Sequence, residues 1–179
     1  MKKEFLLKLV LVFVFIGCGV MNGGRQLNQQ VNQLEDIFMN GENHDQLSIH
    51  YDLTKIDDSL SYFLSLAKNY DLANDETIKS LNQLHIQFKE NKTIEDYSQW
   101  YDQVKELYPI AIGLVKEENL TDQHASMLSK YEATFNSSIH TISYSSFNSS
   151  VREYQSKTNH FLARLFQKIA HVKGVDTFD

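Results

Sequence analysis

Histidine and serine are the residues here whose chemistry would serve catalysis or metal binding, and neither type occurs in a catalytic spacing. No two histidines lie four residues apart, the spacing that places both imidazoles on one helix face for a metal ion. The serines form no Gly-x-Ser-x-Gly elbow and no supported Ser-x-x-Lys motif. We predict no catalytic residue, no metal site and no cofactor. The histidines, interpreted as surface or half-buried residues, are His44, His50, His85, His124, His140, His160 and His171.

Two adjacent carboxylate pairs are the next candidates, Asp57-Asp58 and Glu117-Glu118. Carboxylates that act together in hydrolysis normally approach each other across a cleft rather than along the chain. We therefore interpret both pairs as solvated charge on helix surfaces.

An aromatic group near the C-terminus would suit a ligand groove between helices. Tyr144, Phe147 and Tyr154 are its members, although aromatic residues at helical spacing belong more often to a core. Asn148 stands beside a core aromatic residue. We predict that its amide bonds across the helices and fixes their register, as single buried Asn residues do in coiled coils.

The composition predicts one mainly helical domain. The chain has 179 residues, 42% of them hydrophobic, which is enough for a sizeable core. Seven glycines and one proline are few for a β-protein, which needs turn residues at short intervals. The net charge is −6, and an acidic chain argues against nucleic acid as a partner, because phosphate binding requires clustered Lys and Arg.

The N-terminus has the pattern of an export signal. Residues 1–17 begin with cationic side chains, continue with an apolar run and end with Gly17, directly before Cys18. Cys18 is the only cysteine, so it can form neither an intramolecular disulfide nor a thiolate zinc framework. The residues next to Cys18 are therefore expected to indicate its function.

The sequence Phe-Ile-Gly-Cys at residues 15–18 resembles the lipobox of bacterial lipoproteins, with Phe15 in place of the usual Leu. The resemblance implies cleavage before Cys18 and a diacylglycerol on its thiol, which supplies two-chain anchoring. An uncleaved transmembrane helix is the alternative, but the apolar run Leu9–Met21 has 13 residues, whereas about 20 are needed to cross a bilayer. Either anchor predicts a location on the extracytoplasmic face of a bacterial cell membrane.

We divide the rest of the chain into a tether, residues 18–26, and a helical domain, residues 27–179, with a loop at residues 41–45. The domain shows apolar residues at spacings of three and four, which predict helices. Their inward faces consist of Leu27, Val31, Leu34 and Phe38, then Ile56, Leu60, Phe63, Leu64 and Ala67, then Ile78, Leu81, Leu84 and Phe88, and finally Tyr97, Trp100, Tyr101, Val104, Leu107 and Tyr108.

Several residues mark where these helices begin and end. The pair Asn74-Asp75 and, farther on, Thr121 are expected N-caps, and Thr93 with Asp96 is expected to form a capping box. Pro109 lacks an amide hydrogen and disfavours a helical residue before it, so the helix that contains Tyr108 is expected to end or kink there.

The stretch from Met127 to Asp179 carries the longest pattern in the chain. Apolar or semi-apolar positions from Leu128 to Leu165 recur on average every 3.7 residues, close to the helical repeat. The single five-residue step, from Ile142 to Phe147, keeps them on one face. We predict one long helix over this stretch.

The end of the chain contains, in this order, Phe147, Asn148, Val151, Tyr154, Phe161 and Phe178. This series resembles the C-terminal signature of the LemA family, in which two Tyr-Asn dipeptides flank a Val, and a Phe-Pro and a terminal Phe-Phe-Glu follow. Upstream, Tyr108-Pro109 is similar to the Tyr-Pro segment of the family.

The chain departs from the family at several positions. Phe147 replaces the first Tyr, Gln155 the second Asn and Leu162 the Pro, while Ile56 and Asp57 stand where typical members have two arginines. The resemblance implies a divergent member with an all-α fold, an antiparallel bundle of about four main helices behind an N-terminal membrane segment. The family has no established activity, so the resemblance implies a fold rather than a function.

These observations favour a non-enzymatic, lipid-anchored bundle that binds or scaffolds another envelope protein. An accessory regulator of a membrane peptidase is an alternative, because LemA-like proteins are often encoded near such enzymes. A small-ligand-binding bundle is another. A fourth hypothesis is that the cleaved signal, with its apolar run Leu9–Val14, is the source of a pheromone-like peptide.

Overall fold

The structure, a computed structural model, describes residues 22–42 and 47–160, together with residues 164, 167, 168, 172 and 174–178 near the C-terminus. The predicted signal segment, Cys18 and Phe161 lie outside the described residues. The fold of the described part is all-helical, as predicted, with no strand among these residues.

Residues 22–42 and 47–160 contain six α-helices and one 3-10 helix. Helix α1 covers residues 22–40. The other α-helices are α2 (Ile49–Lys68), α3 (Glu76–Phe88), α4 (Ile94–Lys116), α5 (Asp122–Ser143) and α6 (Ser146–Thr158), and the 3-10 helix is Leu72–Asn74.

Neighbouring helices run in opposite directions and form a bundle. The middle of α2 contacts the middle of α5, where the Ser59 hydroxyl donates to the Tyr131 carbonyl at 3.3 Å. Tyr70, just after α2, contacts His124 in the first turn of α5. Helices α3 and α4 meet where the indole of Trp100 donates to the Leu84 carbonyl at 2.8 Å.

The predicted inward faces are confirmed for α1, α3 and most of α2 and α4, because their residues form one continuous core. The largest fully buried side chains include Trp100, Tyr101, Tyr108, Phe63 and Phe147. Each aromatic residue buries a large apolar area, so these five side chains fill much of the space between the helices.

The predicted helix starts are also confirmed. The Asp75 carboxylate accepts hydrogen bonds from the amides of Thr77 and Ile78, and the Thr121 hydroxyl accepts one from the His124 amide. Thr93 and Asp96 form the reciprocal capping box. Each cap satisfies amides that have no partner inside the helix.

The predicted tether is wrong for residues 22–26, which are helical. Gly24 is buried and lies three residues before Leu27, so it continues the apolar face of Val31, Leu34 and Phe38 towards the N-terminus. Packing on this face therefore outweighs the weak helix propensity of the glycine pair.

Of the two outcomes expected at Pro109, an end or a kink, the end is wrong, since α4 continues to Lys116. Pro109 points to solvent, whereas Tyr108, Ala111 and Ile112 are buried on the opposite side. Burial on both sides of the proline holds the two halves in one helix, although proline removes an intrahelical hydrogen bond.

The predicted single helix from Leu128 to Leu165 is also wrong. Helix α5 ends at Ser143, and Ser145 caps the start of α6 by accepting a hydrogen bond from the Phe147 amide. The break lies inside the five-residue step from Ile142 to Phe147, where both apolar residues are buried. Serine favours N-cap positions over helix interiors, so the serine-rich sequence between these two residues is the point at which the predicted single helix breaks.

Replacement of the exposed Pro109 tests whether packing holds α4 together against the helix-breaking effect of proline. Pro109→Ala is expected to raise the free energy of unfolding by about 1 kcal/mol or more, because alanine restores an intrahelical hydrogen bond and a better helix former. Urea denaturation measures the change. Ile110→Ala on the neighbouring exposed position should change stability by less than about 0.5 kcal/mol. A loss of stability in Pro109→Ala would contradict this account.

Candidate functional site

The structure gathers most of the LemA-like residues into the core. Phe147, Val151 and Tyr154 project inward from α6, and Tyr108 does so from α4. Burial raises the pKa of Tyr108 to about 12, so its hydroxyl stays protonated, and it lies 3.4 Å from the hydroxyl of Ser59. These positions have the contacts of packing residues.

Asn148 is 1% exposed and faces the core. Its carbonyl oxygen accepts a hydrogen bond from the Phe178 amide at 2.8 Å. Its amide nitrogen donates to the carbonyls of Phe178 at 2.9 Å and Ile142 at 3.0 Å. One of these bonds joins α6 to the end of α5, as predicted for a bond between helices, and the other two hold the C-terminal segment. Together they satisfy a buried amide that would otherwise be costly.

Phe178 is fully buried at the centre of an aromatic cluster. Its ring centroid lies 5.6 Å from that of Phe38 in α1, 5.7 Å from that of Tyr101 in α4 and 6.0 Å from that of Phe147 in α6. The terminal aromatic residue thus joins three helices. Its place in the sequence signature gave no indication of this contact.

The three aromatic residues near the C-terminus do not form a ligand groove, which was the less favoured of their two interpretations. Phe147 and Tyr154 are buried, whereas Tyr144 is 80% exposed at the corner between α5 and α6. Tyr144 lies between the two helices that were expected to be one, so it does not share the face of the other two rings.

The prediction of a solvated Asp57 is wrong. Asp57 is buried, and its carboxylate lies 2.8 Å from Nδ1 of His85 in α3. Burial raises the pKa of Asp57, and the hydrogen bond from His85 opposes that rise. Asp58, Glu117 and Glu118 are exposed, as expected.

A second buried carboxylate, Asp52, was not expected from the sequence. Burial raises its pKa, and Lys55 contacts it at 3.3 Å. Asp52 lies in a cleft of about 400 Å³ between α2 and α5. We call it the corner cleft, and its lining residues include Leu47, Ser48, Asp52, His140 and Tyr144.

Another cleft of about 400 Å³ opens farther along the same two helices. Tyr62 and Tyr131 lie in it with nearly parallel rings, 6.1 Å between centroids. Lys55 and Lys130 are also at its edge. The spacing of Ser48, Asp52, Lys55, Ser59 and Tyr62 along α2 places both clefts on one side of that helix.

Two absences hold for the residues that the structure describes. Among them, no three His, Cys, Asp or Glu side chains are grouped as a metal site requires. None of the helices in this part of the chain combines the length and the apolar character needed to cross a bilayer.

Together, these features define an all-helical bundle with a closed aromatic core and open clefts along α2 and α5. Comparisons of the chain with protein-family models, with curated proteins and with solved structures gave no significant match.

Asp57→Asn tests the buried carboxylate. A raised pKa means that the folded state binds the proton more tightly, so the contribution of Asp57 to stability is present at acid pH and is lost as pH rises through the raised pKa. Asparagine cannot ionise and retains a hydrogen-bond acceptor for His85. The variant should therefore be at least as stable as the wild type at pH 7, with a smaller advantage at pH 4.

Urea denaturation at both pH values measures this difference. Asp58→Asn, one residue away and exposed, is the matched control and should change stability by less than about 0.5 kcal/mol. A marked loss of stability in Asp57→Asn at pH 7 would show that the ionised form supports the fold.

Proposed function

We propose that this chain is a lipid-anchored, extracytoplasmic helical-bundle protein of the LemA type, which acts by binding another envelope protein rather than by catalysis. The export-signal pattern with Cys18 supports the anchor, and the C-terminal signature supports the family. The burial of Tyr108, Phe147 and Asn148 agrees with a packing role for that signature.

The corner cleft is the observation that carries a binding function. Leu47 is 71% exposed and Tyr144 80% exposed on its rim. Single exposed apolar residues are common, but two large ones on one concave surface are typical of interaction sites. The ring of His140 lies 4.8 Å from that of Tyr144, which limits the freedom of the tyrosine before any partner binds.

The position of the cleft also suits a partner outside the membrane. Helix α1 covers residues 22–40, a length of roughly 27 Å at 1.5 Å per residue. A lipid on Cys18 would hold the start of α1 near the bilayer. The corner cleft follows the other end of α1, so up to about 27 Å of helix would separate it from the lipid.

The anchor is tested by the intact mass of the protein extracted from membranes. We expect a mass that corresponds to loss of residues 1–17 and addition of diacylglycerol, because the lipobox-like sequence directs both. Cys18→Ala is the control and should retain the full N-terminus and carry no lipid. An unmodified chain of full length in the wild type would refute the lipid anchor and favour an uncleaved helix.

The partner surface is tested by crosslinking in intact membranes. A photoreactive residue at Tyr144 should give a discrete crosslink to another envelope protein. The same residue at Tyr62, also exposed but farther along α2, should not give that product. A membrane peptidase as the crosslinked protein would support the regulator alternative. Crosslinks only between copies of this chain, or equal products from both positions, would count against the proposal.

A further inference from the structure

The cleft that contains Tyr62 and Tyr131 presents two aromatic rings in nearly parallel planes. We call it the tyrosine cleft; it lies between α2 and α5 and has a volume of about 400 Å³. The two ring planes differ by 13° and their centroids are 6.1 Å apart, so their faces point in the same direction. Because Tyr62 is 62% exposed, a flat ligand reaches its ring directly from solvent.

The floor of the tyrosine cleft is fixed by hydrogen bonds of a buried serine. Ser59 is 4% exposed, and its hydroxyl lies 3.4 Å from the hydroxyl of Tyr108 in α4. The same hydroxyl donates to the backbone carbonyl of Tyr131 at 3.3 Å. These contacts hold α2 and α5 together at the cleft in the absence of any ligand. Binding there therefore requires little rearrangement of the backbone.

Polar side chains of both hydrogen-bonding types line the cleft beside the two rings. Lys55 and Lys130 carry ammonium donors, and the carboxylate of Asp58 is an acceptor. The hydroxyl of Thr134 donates to the Lys130 carbonyl at 3.0 Å and retains its acceptor positions. A ligand with several hydroxyl groups needs such a mixture, because each hydroxyl both donates and accepts.

The charges at the tyrosine cleft balance one another. Lys55 lies 3.3 Å from the carboxylate of Asp52 on the same helix, which offsets the charge of this lysine. The other two charged residues of the lining, Lys130 and Asp58, have opposite signs. An anion would be repelled by Asp58 and a cation by Lys130. The cleft therefore favours an uncharged ligand.

An uncharged ligand with a flat apolar face and hydroxyl groups around its edge has the chemistry of a sugar ring. The C–H groups of a pyranose form its faces, and its hydroxyls project outward from the ring. The face of an aromatic ring carries partial negative charge, so it attracts the slightly positive C–H groups and also buries their apolar surface. The two tyrosines supply such faces, and the polar side chains of the lining supply partners for hydroxyls.

We propose that the tyrosine cleft is a binding site for an uncharged oligosaccharide, whose sugar rings stack on Tyr62 and Tyr131. Lys130, Asp58 and Thr134 bind the hydroxyls of those rings. The site differs from the corner cleft in its residues and in the class of its ligand. The proposal depends neither on the lipid anchor nor on the LemA resemblance.

Ligand-observed NMR with the full chain, in a detergent without a sugar headgroup, tests this proposal. The probes are cellotetraose, chitotetraose and maltotetraose, three uncharged tetrasaccharides that differ in linkage and substituent. At least one should bind. Its affinity should stay constant between about 0.05 and about 0.5 M NaCl, because salt screens charges but does not weaken stacking or hydrogen bonds between uncharged groups.

Variants of exposed tyrosines test the role of the rings. Tyr62→Ala removes one of the two faces and should weaken binding about tenfold. Tyr62→Phe keeps the ring and should retain most of the affinity. Tyr144→Ala is the matched control, because this tyrosine is 80% exposed but belongs to the corner cleft, and it should bind the probe as the wild type does. Circular dichroism verifies that each variant is folded.

Tetragalacturonate has the same number of rings with a carboxylate on each, and it is the anionic comparison. Tighter binding of this probe than of the uncharged ones, with a loss of affinity in high salt, would define an anion site and overturn the proposal. Failure of all three uncharged probes to bind would also overturn it. Equal affinities of Tyr62→Ala and Tyr144→Ala for a probe that binds would do the same.

Discussion

The burial of α2 on several sides is the constraint on which the rest of the bundle depends. This helix packs against α5 on one side and α3 on another, and Phe63 reaches the ring of Tyr108 in α4 at 5.0 Å. Ten of its 20 residues are buried, polar ones among them. Asp52 contacts Lys55 of the same helix, whereas Asp57 contacts His85 in α3, and Ser59 contacts Tyr108 in α4 and the Tyr131 carbonyl in α5. Because unpartnered buried polar groups are costly, the contacts of Asp57 and Ser59 also favour these helices as the neighbours of α2.

This constraint explains which parts of the fold could be predicted. Helices with one buried face, such as α1 and α3, follow the simple spacing of apolar residues, and their cores were predicted residue by residue. That rule assumes that the opposite face is solvated. It fails for Asp57, which lies beside the predicted face of α2 and is covered by His85 from a helix 28 residues later. No local pattern in the sequence indicates which helix will pack against the side of α2 that carries Asp57.

The errors at helix boundaries have a related cause. Local rules described the caps correctly, because a cap is completed by residues within one turn. At Pro109 and between Ile142 and Phe147, local preference competes with tertiary packing. Packing prevails at the proline, whose ring can face solvent while Tyr108 and Ala111 remain buried. Local preference prevails at the serine-rich corner between α5 and α6, because Ile142 and Phe147 are both buried although the helix breaks between them. The large side chain exposed at this corner is that of Tyr144.

Side chains of α6 position the end of the chain. The Gln155 amide donates to the backbone carbonyl of Val175, and the Asn148 amide binds both backbone groups of Phe178. The ring of Phe147 is buried against Phe38 and Phe178, where a hydroxyl would need its own partner. The last residues are therefore held by two side-chain amides and by aromatic packing, and a substitution that retains the amide or the apolar ring is compatible with the fold.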